Sequence, residues 1–219
     1  IAACGGEIKY GHSEVGNFSQ DGVNYEQNEI EFLTTEIERA ADQLVIAKWI
    51  IRTLAYKYGL NVTFAPKITV GKAGSGLHFH TRITRNGASV MTSGSTLSAE
   101  AIKAIAGYIH CASSLTAFGN TNPTSYFRLV PKQEAPTNIC WGDRNRSVLV
   151  RVPLGWLGDK DMLHAANPNE PGTTSKSTEK QTVELRSPDG SADIYHIMAG
   201  LAVAARTGFE MENPEEIAR

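Results

Sequence analysis

The feature that most constrains the fold of this sequence is a set of short strand-like segments. They lie at 8–15, 28–33, 77–84, 137–141, 148–152 and 182–186, and apolar and polar residues alternate at 28–33 and 77–84. Alternation at every second residue is typical of a half-buried β-strand. Asn86-Gly87 adds a two-residue hairpin signal within this set. The pattern predicts an α+β fold, with a mainly antiparallel, curved sheet backed by helices.

Three stretches have helical spacing instead. The first, with apolar positions from Ile37 to Tyr58, is predicted to be capped by Thr34 or Thr35, to carry Glu36 and Glu38 in its first turn and to stop at Gly59. Ser98 is predicted to cap a second helix, and a third covers about 192–206.

Three other segments are predicted to be irregular. The polar stretch at 16–24 indicates a loop, and three prolines in 120–136 prevent long regular structure there. The stretch 157–180 is rich in Asn, Pro, Gly, Ser and Thr and is predicted to be a flexible insertion.

Composition excludes several classes of protein. The 219 residues carry 21 Lys+Arg against 23 Asp+Glu, a net charge of −2, so no overall basic footprint favours nucleic acid or an anionic membrane. The longest apolar run is broken by Lys48 and Arg52, which argues against a membrane span. Three cysteines without a C-x-x-C pattern are interpreted as buried thiols of a protein from a reducing compartment.

Histidines and carboxylates are the first candidates for chemistry. His78 and His80 share one face of a predicted strand, directly after Gly74-Ser75-Gly76. Carboxylates occur on other predicted strands, at Glu14, Glu29, Glu31 and Glu184. If they converge on an imidazole, these groups suit Mg²⁺ or Mn²⁺. The alternative, hydrogen-bonded histidines and solvent-facing carboxylates, stays open at this stage.

Arginines are the second group of candidates. Five of them lie within 59 residues, at Arg128, Arg144, Arg146, Arg151 and Arg186. Guanidinium groups suit a bidentate grip on carboxylate or phosphate, although structural salt bridges explain them equally well. Together with the glycine turn they favour a metal-dependent phosphoryl-transfer site.

Longer motifs resemble those of a known family. In order along the chain they are His12-Ser13-Glu14-Val15, Gln27-Asn28-Glu29, the run from Gly74 to His80, the run from Asn122 to Pro136, Arg144-Asn145-Arg146-Ser147, and the run from Glu184 to Asp189. Their sequence and order resemble the glutamine synthetase family, from about residue 6 to residue 208. The resemblance implies a catalytic domain of the glutamine synthetase and guanido kinase type.

The resemblance also implies an activity. Members phosphorylate the γ-carboxylate of glutamate with ATP, and ammonia then displaces phosphate to give glutamine. Two Mg²⁺ or Mn²⁺ ions would assist, one held by Glu14 and Glu29 and the other by His78 and Glu184.

Further roles follow from the same resemblance. The glutamate substrate would be held by Arg128, Arg186 and Gly74. The phosphates of ATP would be contacted by His80, Arg151 and Arg146. The catalytic residues would be Arg146, at the transferring phosphoryl group, and Glu134, a flap carboxylate that helps bind ammonium, accepts its proton and closes the site against water.

Two rivals remain open. Ala73 stands where the family commonly has Asn, and the 15–29 stretch is longer than is usual in the family. These departures leave a γ-glutamyl-amine ligase as an alternative function. A non-catalytic, glutamine-synthetase-like structural protein is the other rival, although a scaffold has no need of so many charged motif residues.

Family members also have an N-terminal β-grasp domain, an E-x-E strand that gives each metal one ligand, and further C-terminal helices. Neither the domain nor the E-x-E strand precedes Glu14, and the further helices do not follow the last predicted helix, so residues 1–219 are interpreted as part of a catalytic domain. This part alone is expected to lack synthetase activity and to bind metal weakly. The parent protein is expected to be a cytoplasmic homo-oligomer.

Overall fold

A computed structural model describes residues 1–153 and 180–218. Within them, the strands are β1 (Ile8–Gln20), β2 (Val23–Phe32), β3 (Phe79–Thr81), β4 (Thr84–Arg85), β5 (Ala88–Ser89), β6 (Thr92–Ser93), β7 (Thr96–Leu97), β8 (Asn138–Asp143), β9 (Val148–Val152) and β10 (Val183–Leu185). The α-helices are α1 (Ile37–Lys57), α2 (Ala99–His110), α3 (Ala112–Gly119), α4 (Ile194–Glu210) and α5 (Pro214–Ile217). Short 3₁₀ turns cover Ala2–Cys4 and Pro123–Phe127.

Strands β1 and β2 form one long antiparallel hairpin. Its turn is Asp21-Gly22, with φ angles of 52° and 77°, the left-handed conformation that a two-residue hairpin turn requires. The loop predicted at 16–24 is therefore wrong. Its polar residues belong to the strands, because most of this hairpin faces solvent on both sides and needs little apolar alternation.

A four-stranded sheet with the order β3-β10-β9-β8 supports most of the predicted site. Strand β10 is antiparallel to both of its neighbours, whereas β8 and β9 run parallel. The hairpin predicted at Asn86-Gly87 is present as β4-β5. The mainly antiparallel α+β class is confirmed.

Helices α2 and α4 pack behind this sheet and form the core with it. Ile105 and Tyr108 of α2 and Ile197 of α4 are fully buried. The two helices approach closely at Gly107, where a Cβ atom would collide with the carbonyl of Ala204. This backbone-to-backbone contact holds the two helices of the layer close together.

The helix boundaries differ in detail from the prediction. Glu36, rather than Thr34 or Thr35, is the N-cap of α1, and it makes no side-chain capping bond. Glu38 does lie in the first turn, and Gly59 adopts φ 68° just beyond the helix end, as predicted. Ser98 caps α2 by accepting a hydrogen bond from the Ala101 amide, whereas α3 was not predicted.

The predicted burial of the cysteines is wrong. Cys4 and Cys140 are exposed and Cys111 is half-buried, and all three are free thiols. Cys140 lies on β8, an outer strand of the sheet whose residues are largely exposed. The insertion predicted at 157–180 falls almost wholly on residues 154–179, outside the described part of the chain. Among the described helices, none is long and apolar enough to cross a membrane.

Candidate active site

A buried carboxylate, Glu184, lies at the centre of the predicted site. In the sheet register it stands opposite His80 on β3 and opposite Arg151 on β9. Its oxygens lie 3.1 Å from His78 Nδ1 and 3.0 Å from Arg151 Nη1, and Arg186 Nη1 also donates to it. Glu184 is 1% exposed, so three cationic or hydrogen-bonding groups surround one desolvated carboxylate.

The protonation states follow from these contacts. Burial by itself raises the pKa of Glu184, but the hydrogen bond from His78 and the charges of His78 and Arg186 outweigh it and hold that pKa well below its usual range. Desolvation lowers the pKa of His78 to about 4. Near neutral pH the pair is therefore a carboxylate and a neutral imidazole, which are the forms that ligate a divalent metal.

Arg128 supports this cluster from behind. Its Nη1 donates to the carbonyls of Ser187 and Pro188 at 2.8 and 3.2 Å. Its Nη2 donates to the Arg186 carbonyl at 3.0 Å and lies 3.2 Å from His78 Nε2. Because arginine has no acceptor, Nε2 accepts this bond and the Nδ1 proton of His78 points at Glu184. Arg128 thus orients the imidazole and fixes the chain just after β10.

The glycine turn allows this close packing. A Cβ atom on Gly76 would collide with Arg128 Nη2 and would lie 2.5 Å from His78 Nε2. A Cβ atom on Gly74 would lie 2.7 Å from the Pro66 carbonyl oxygen. Only a bare backbone fits at these two positions, which explains the glycines by close approach.

A second charged cluster lies on the hairpin. His12 Nε2 is 2.9 Å from a carboxylate oxygen of Glu14, and one ligand atom from each of His12, Glu14 and Glu29 lies within 4.8 Å of the others. Desolvation, followed by the charge of Glu14, raises the pKa of Glu29. Desolvation also acts to raise the pKa of Glu14, but its hydrogen bond with His12 prevails and lowers it.

The hairpin cluster faces the sheet cluster. The charge of Glu184 contributes to the raised pKa of Glu29, and the charge of Arg146 to the lowered pKa of Glu14. Gln27 joins the hairpin to the glycine turn, since its Nε2 donates to the Gly74 carbonyl at 2.9 Å and to Ser75 Oγ at 3.0 Å. The two clusters therefore border one charged region.

The segment around Glu134 forms another wall of this region. Glu134 and Lys132 have φ angles of 54° and 63°, which are strained for residues with side chains. Arg146 Nη1 donates to both carboxylate oxygens of Glu134 at 2.9 Å. Arg186 Nη2 donates to the Glu134 carbonyl at 2.9 Å, which anchors the segment to the sheet cluster.

A buried lysine connects this wall to the glycine turn. Lys67 is 7% exposed, and its Nζ donates to the Lys72 carbonyl and to Gln133 Oε1. Desolvation, with a smaller effect of the Arg128 charge, lowers its pKa. Lys67 therefore fixes the distance between the segment of Glu134 and the turn that carries Gly74.

Most of the residues singled out by sequence fall in this region. The sheet cluster contains His78, His80, Arg128, Arg151, Glu184 and Arg186, and its neighbours are Gly74, Glu134, Arg146, Glu14 and Glu29. Arg144 pairs instead with the exposed Asp143 at 3.3 Å. Sequence reasoning missed His12 as a possible ligand, and it missed the connecting roles of Gln27 and Lys67. The position of His12 two residues before Glu14 on a strand was the available signal for the first.

The donor groups fit the cofactors that the motifs imply. The hairpin cluster offers two carboxylates and one imidazole, and the sheet cluster offers the carboxylate of Glu184 beside the imidazole of His78. Carboxylate oxygens with an imidazole nitrogen are ligands that Mg²⁺ and Mn²⁺ accept. Arg151 Nε is buried and has no hydrogen-bond partner among the described residues, so it offers a donor to a phosphate oxygen.

Comparison with known proteins decides the family. Residues 7–217 match the profile of the family described as "Glutamine synthetase, catalytic domain". The chain belongs to the glutamine synthetase family. That match covers every motif and every candidate residue described above.

Named relatives agree with this assignment. A glutamine synthetase of Mycobacterium tuberculosis (strain CDC 1551 / Oshkosh) is 34% identical over 206 residues, which cover 93% of this chain and 38% of that protein. One from Pyrococcus furiosus is 35% identical over 199 residues, covering 91% and 39%. The chain therefore spans about two fifths of the length of these curated relatives.

A solved structure shows the same fold. The cryo-electron microscopy structure of Plasmodium falciparum glutamine synthetase superposes with a TM-score of 0.76 at 24% identity. The alignment covers 95% of this chain and 36% of that one. The α+β architecture described above is thus the fold of a glutamine synthetase catalytic domain.

Proposed function

We propose that the protein containing this chain is an ATP-dependent ligase that condenses glutamate with ammonia to give glutamine. The observation that carries this proposal is Glu184, a buried carboxylate held between His78, Arg151 and Arg186 and facing the carboxylates of the hairpin. A site that combines metal ligands with guanidinium groups suits phosphoryl transfer, in which a negatively charged group passes from one substrate to another.

Two pairs of residues would hold the divalent ions. Glu14 and Glu29 lie in the hairpin cluster, and His78 and Glu184 lie 3.1 Å apart in the sheet cluster. When bound, Mg²⁺ or Mn²⁺ would neutralise the phosphate charges during transfer. The low pKa of His78 keeps its imidazole neutral near neutral pH, and ligation through Nδ1 would place the remaining ring proton on Nε2, so the hydrogen bond from Arg128 would have to be released.

Arginines and a glycine turn would bind the substrates. Glutamate would lie beside Gly74, with Arg128 and Arg186 supplying positive charge; Arg128 would act largely through the positions of His78 and the chain after β10. The ATP phosphates would be bound by His80, Arg146 and Arg151. Arg151 has a buried Nε free of partners among the described residues, which supports a role in phosphate binding.

The chemistry then follows from charge and position. An oxygen of the γ-carboxylate attacks the γ-phosphorus of ATP, the bond to ADP breaks, and an acyl phosphate forms. Ammonia attacks its carbonyl carbon and phosphate leaves. Arg146 would stabilise the transferring group, and Glu134 would accept the ammonium proton and close the site, because water would otherwise hydrolyse the acyl phosphate.

The setting of this site is also a proposal. The family resemblance supports a cytoplasmic homo-oligomer in which residues 1–219 are part of a larger catalytic unit. The 219-residue chain by itself is proposed to turn over poorly, because it matches only about two fifths of the length of the curated relatives.

The test is an acceptor comparison with the natural polypeptide that contains these residues. Phosphate release should require ATP, glutamate and an amine together, and ammonium should give glutamine more efficiently than methylamine or putrescine. Faster turnover with a larger amine would replace the proposal by a γ-glutamyl-amine ligase. Folded protein that binds no ATP and releases no phosphate would support the non-catalytic rival.

A further inference from the structure

One face of the β1-β2 hairpin carries three side chains of metal-ligand type. His12 on β1 stands directly opposite Glu29 on β2 in the register of the hairpin. Glu14 lies two residues beyond His12, and side chains at this spacing share one face of a strand. Glu14 also falls in the register shift between Ser13 and Asn17, an irregularity of the kind that re-aims side chains near functional sites.

The distances within this face suit one small cation. His12 Nε2 and Glu14 Oε1 are 2.9 Å apart, whereas neighbouring ligands of an octahedral ion with bonds of about 2.1 Å lie about 3 Å apart. The Glu29 atom lies within 4.8 Å of both, so a side-chain rotation can complete the group. The other oxygen of Glu14 accepts a hydrogen bond from the Val15 amide at 3.2 Å, which helps to orient that carboxylate.

A contribution to folding stability explains the placement of His12 poorly. Its side chain is 42% exposed and that of Glu14 is 28% exposed. An ion pair so open to solvent contributes little to the free energy of folding. The ring also lies 5.5 Å from the ring of Tyr10, tilted by 41°, which limits its orientation on this face. An imidazole held in place beside two carboxylates is better explained by a cation that all three groups bind.

We propose that His12 ligates the divalent cation held by Glu14 and Glu29, so that the hairpin alone supplies a two-carboxylate, one-histidine centre. The proposal rests on the metal centres of the proposed function and names a ligand in addition to them. It also changes the expectation that this centre has only two ligands within residues 1–219.

An imidazole ligand changes which metal the centre prefers. Carboxylates with water suit Mg²⁺, whereas imidazole nitrogen favours Mn²⁺, Co²⁺ and Zn²⁺ over Mg²⁺. The hairpin centre should therefore bind Mn²⁺ more tightly than Mg²⁺ by a margin that depends on His12.

The experiment uses Mn²⁺ alone and the natural polypeptide that contains these residues. Binding is measured by titration calorimetry, and nitrogen ligation by electron spin echo envelope modulation of the bound Mn²⁺. The nitrogen coupling to Mn²⁺ is measured in a protein that also carries His78→Ala and His80→Ala, because these substitutions remove the imidazoles of the sheet cluster. Circular dichroism checks that this protein is folded. The calorimetric titration is repeated with His78 and His80 in place, since substitution of the exposed His12 leaves the core intact.

The expected result has three parts. His12→Ala weakens Mn²⁺ binding at one site by about tenfold or more, since even the loss of a group that only supports a ligand costs that much, and it removes the nitrogen coupling. His12→Asp retains Mn²⁺ binding but loses the coupling and the preference over Mg²⁺. The control His196→Ala, at an exposed histidine on α4, changes nothing.

The proposal is overturned if either the Mn²⁺ affinity or the nitrogen coupling is unchanged in His12→Ala. This outcome is separate from the ligase assay. A hairpin centre that behaves as expected in a protein that forms no glutamine would contradict the proposed function and leave the metal centre standing.

Discussion

Arg146 and Glu134, the two residues that sequence motifs single out as catalytic, form an ion pair with each other. Arg146 Nη1 lies 2.9 Å from both oxygens of the Glu134 carboxylate, and both side chains are more than half exposed. An exposed pair of this kind is weak and can be exchanged for contacts with substrates. Each residue is thus oriented by the other, and in the proposed function a phosphate would replace Glu134 beside Arg146 and an ammonium ion would replace Arg146 beside Glu134.

Glu134→Gln should separate catalysis from stability. We expect glutamine formation to fall by about 100-fold, since the amide cannot accept the ammonium proton. The free energy of unfolding should change by less than about 1 kcal/mol, because the lost pair is exposed. Steady-state kinetics and urea unfolding measure the two effects. Glu210→Gln, which removes the exposed pair with Arg206, is the matched control and should leave kinetics unchanged.

Glu184→Gln should destabilise the fold strongly. Substitution leaves Arg151 and Arg186 without their shared carboxylate, and removal of one partner from a buried ion pair costs about 3–5 kcal/mol. Urea unfolding measures this loss. Glu100→Gln, at an exposed pair with Arg85, should cost far less. Equal effects of the two substitutions would show that Glu184 is not the electrostatic centre of the sheet cluster.

His78 should make stability depend on pH. Its pKa is lowered to about 4 in the folded protein, so the unfolded chain takes up a proton first as the pH falls below 6.5. Stability is therefore lost on acidification, by about 2 kcal/mol between pH 7 and pH 5. Urea unfolding of His78→Gln at the two pH values should show a smaller loss by that amount, whereas the exposed His196→Gln should match the parent. An identical pH dependence in His78→Gln would contradict the desolvated imidazole.

Gln27→Ala should loosen the hairpin from the glycine turn. The amide of Gln27 bonds the Gly74 carbonyl and Ser75, and its oxygen accepts from the Gly16 amide at 3.1 Å. We expect faster hydrogen exchange at residues 71–76 and weaker glutamate binding, with the core of α2 unaffected. Asn24→Ala, near the exposed hairpin tip, is the control. Unchanged exchange at 71–76 would show that other contacts hold the turn.

Local signals in the sequence were sufficient for much of the fold. Asn86-Gly87, Ser98 and Gly59 each mark an element boundary because the turn or cap depends on the residue itself. Asp21-Gly22 carries the same kind of signal, but the strand residues beside it, at 16–20 and 23–24, lack apolar alternation, so their polar character predicts a loop. Periodicity reports burial, so it cannot detect strands that face solvent on both sides.

The candidate site shows the same difference between local signals and long-range contacts. The charged motif residues could be recognised one by one, yet the opposition of Glu184 to both His80 and Arg151 depends on strand order, which no local pattern contains. The roles of Gln27 and Lys67 depend on contacts across tens of residues. Such long-range relationships appear only once the strands and loops are placed in space.

The most direct test of the proposed ligase follows one oxygen atom. Glutamate labelled with ¹⁸O in its γ-carboxylate is supplied with ATP, ammonium and Mg²⁺ to the natural polypeptide, and the released phosphate is analysed by mass spectrometry. An acyl phosphate intermediate transfers one γ-carboxylate oxygen to each phosphate, so we predict one ¹⁸O per phosphate in step with glutamine formation. Phosphate that contains no ¹⁸O would show that ATP is hydrolysed without activating glutamate, and would contradict the proposed function.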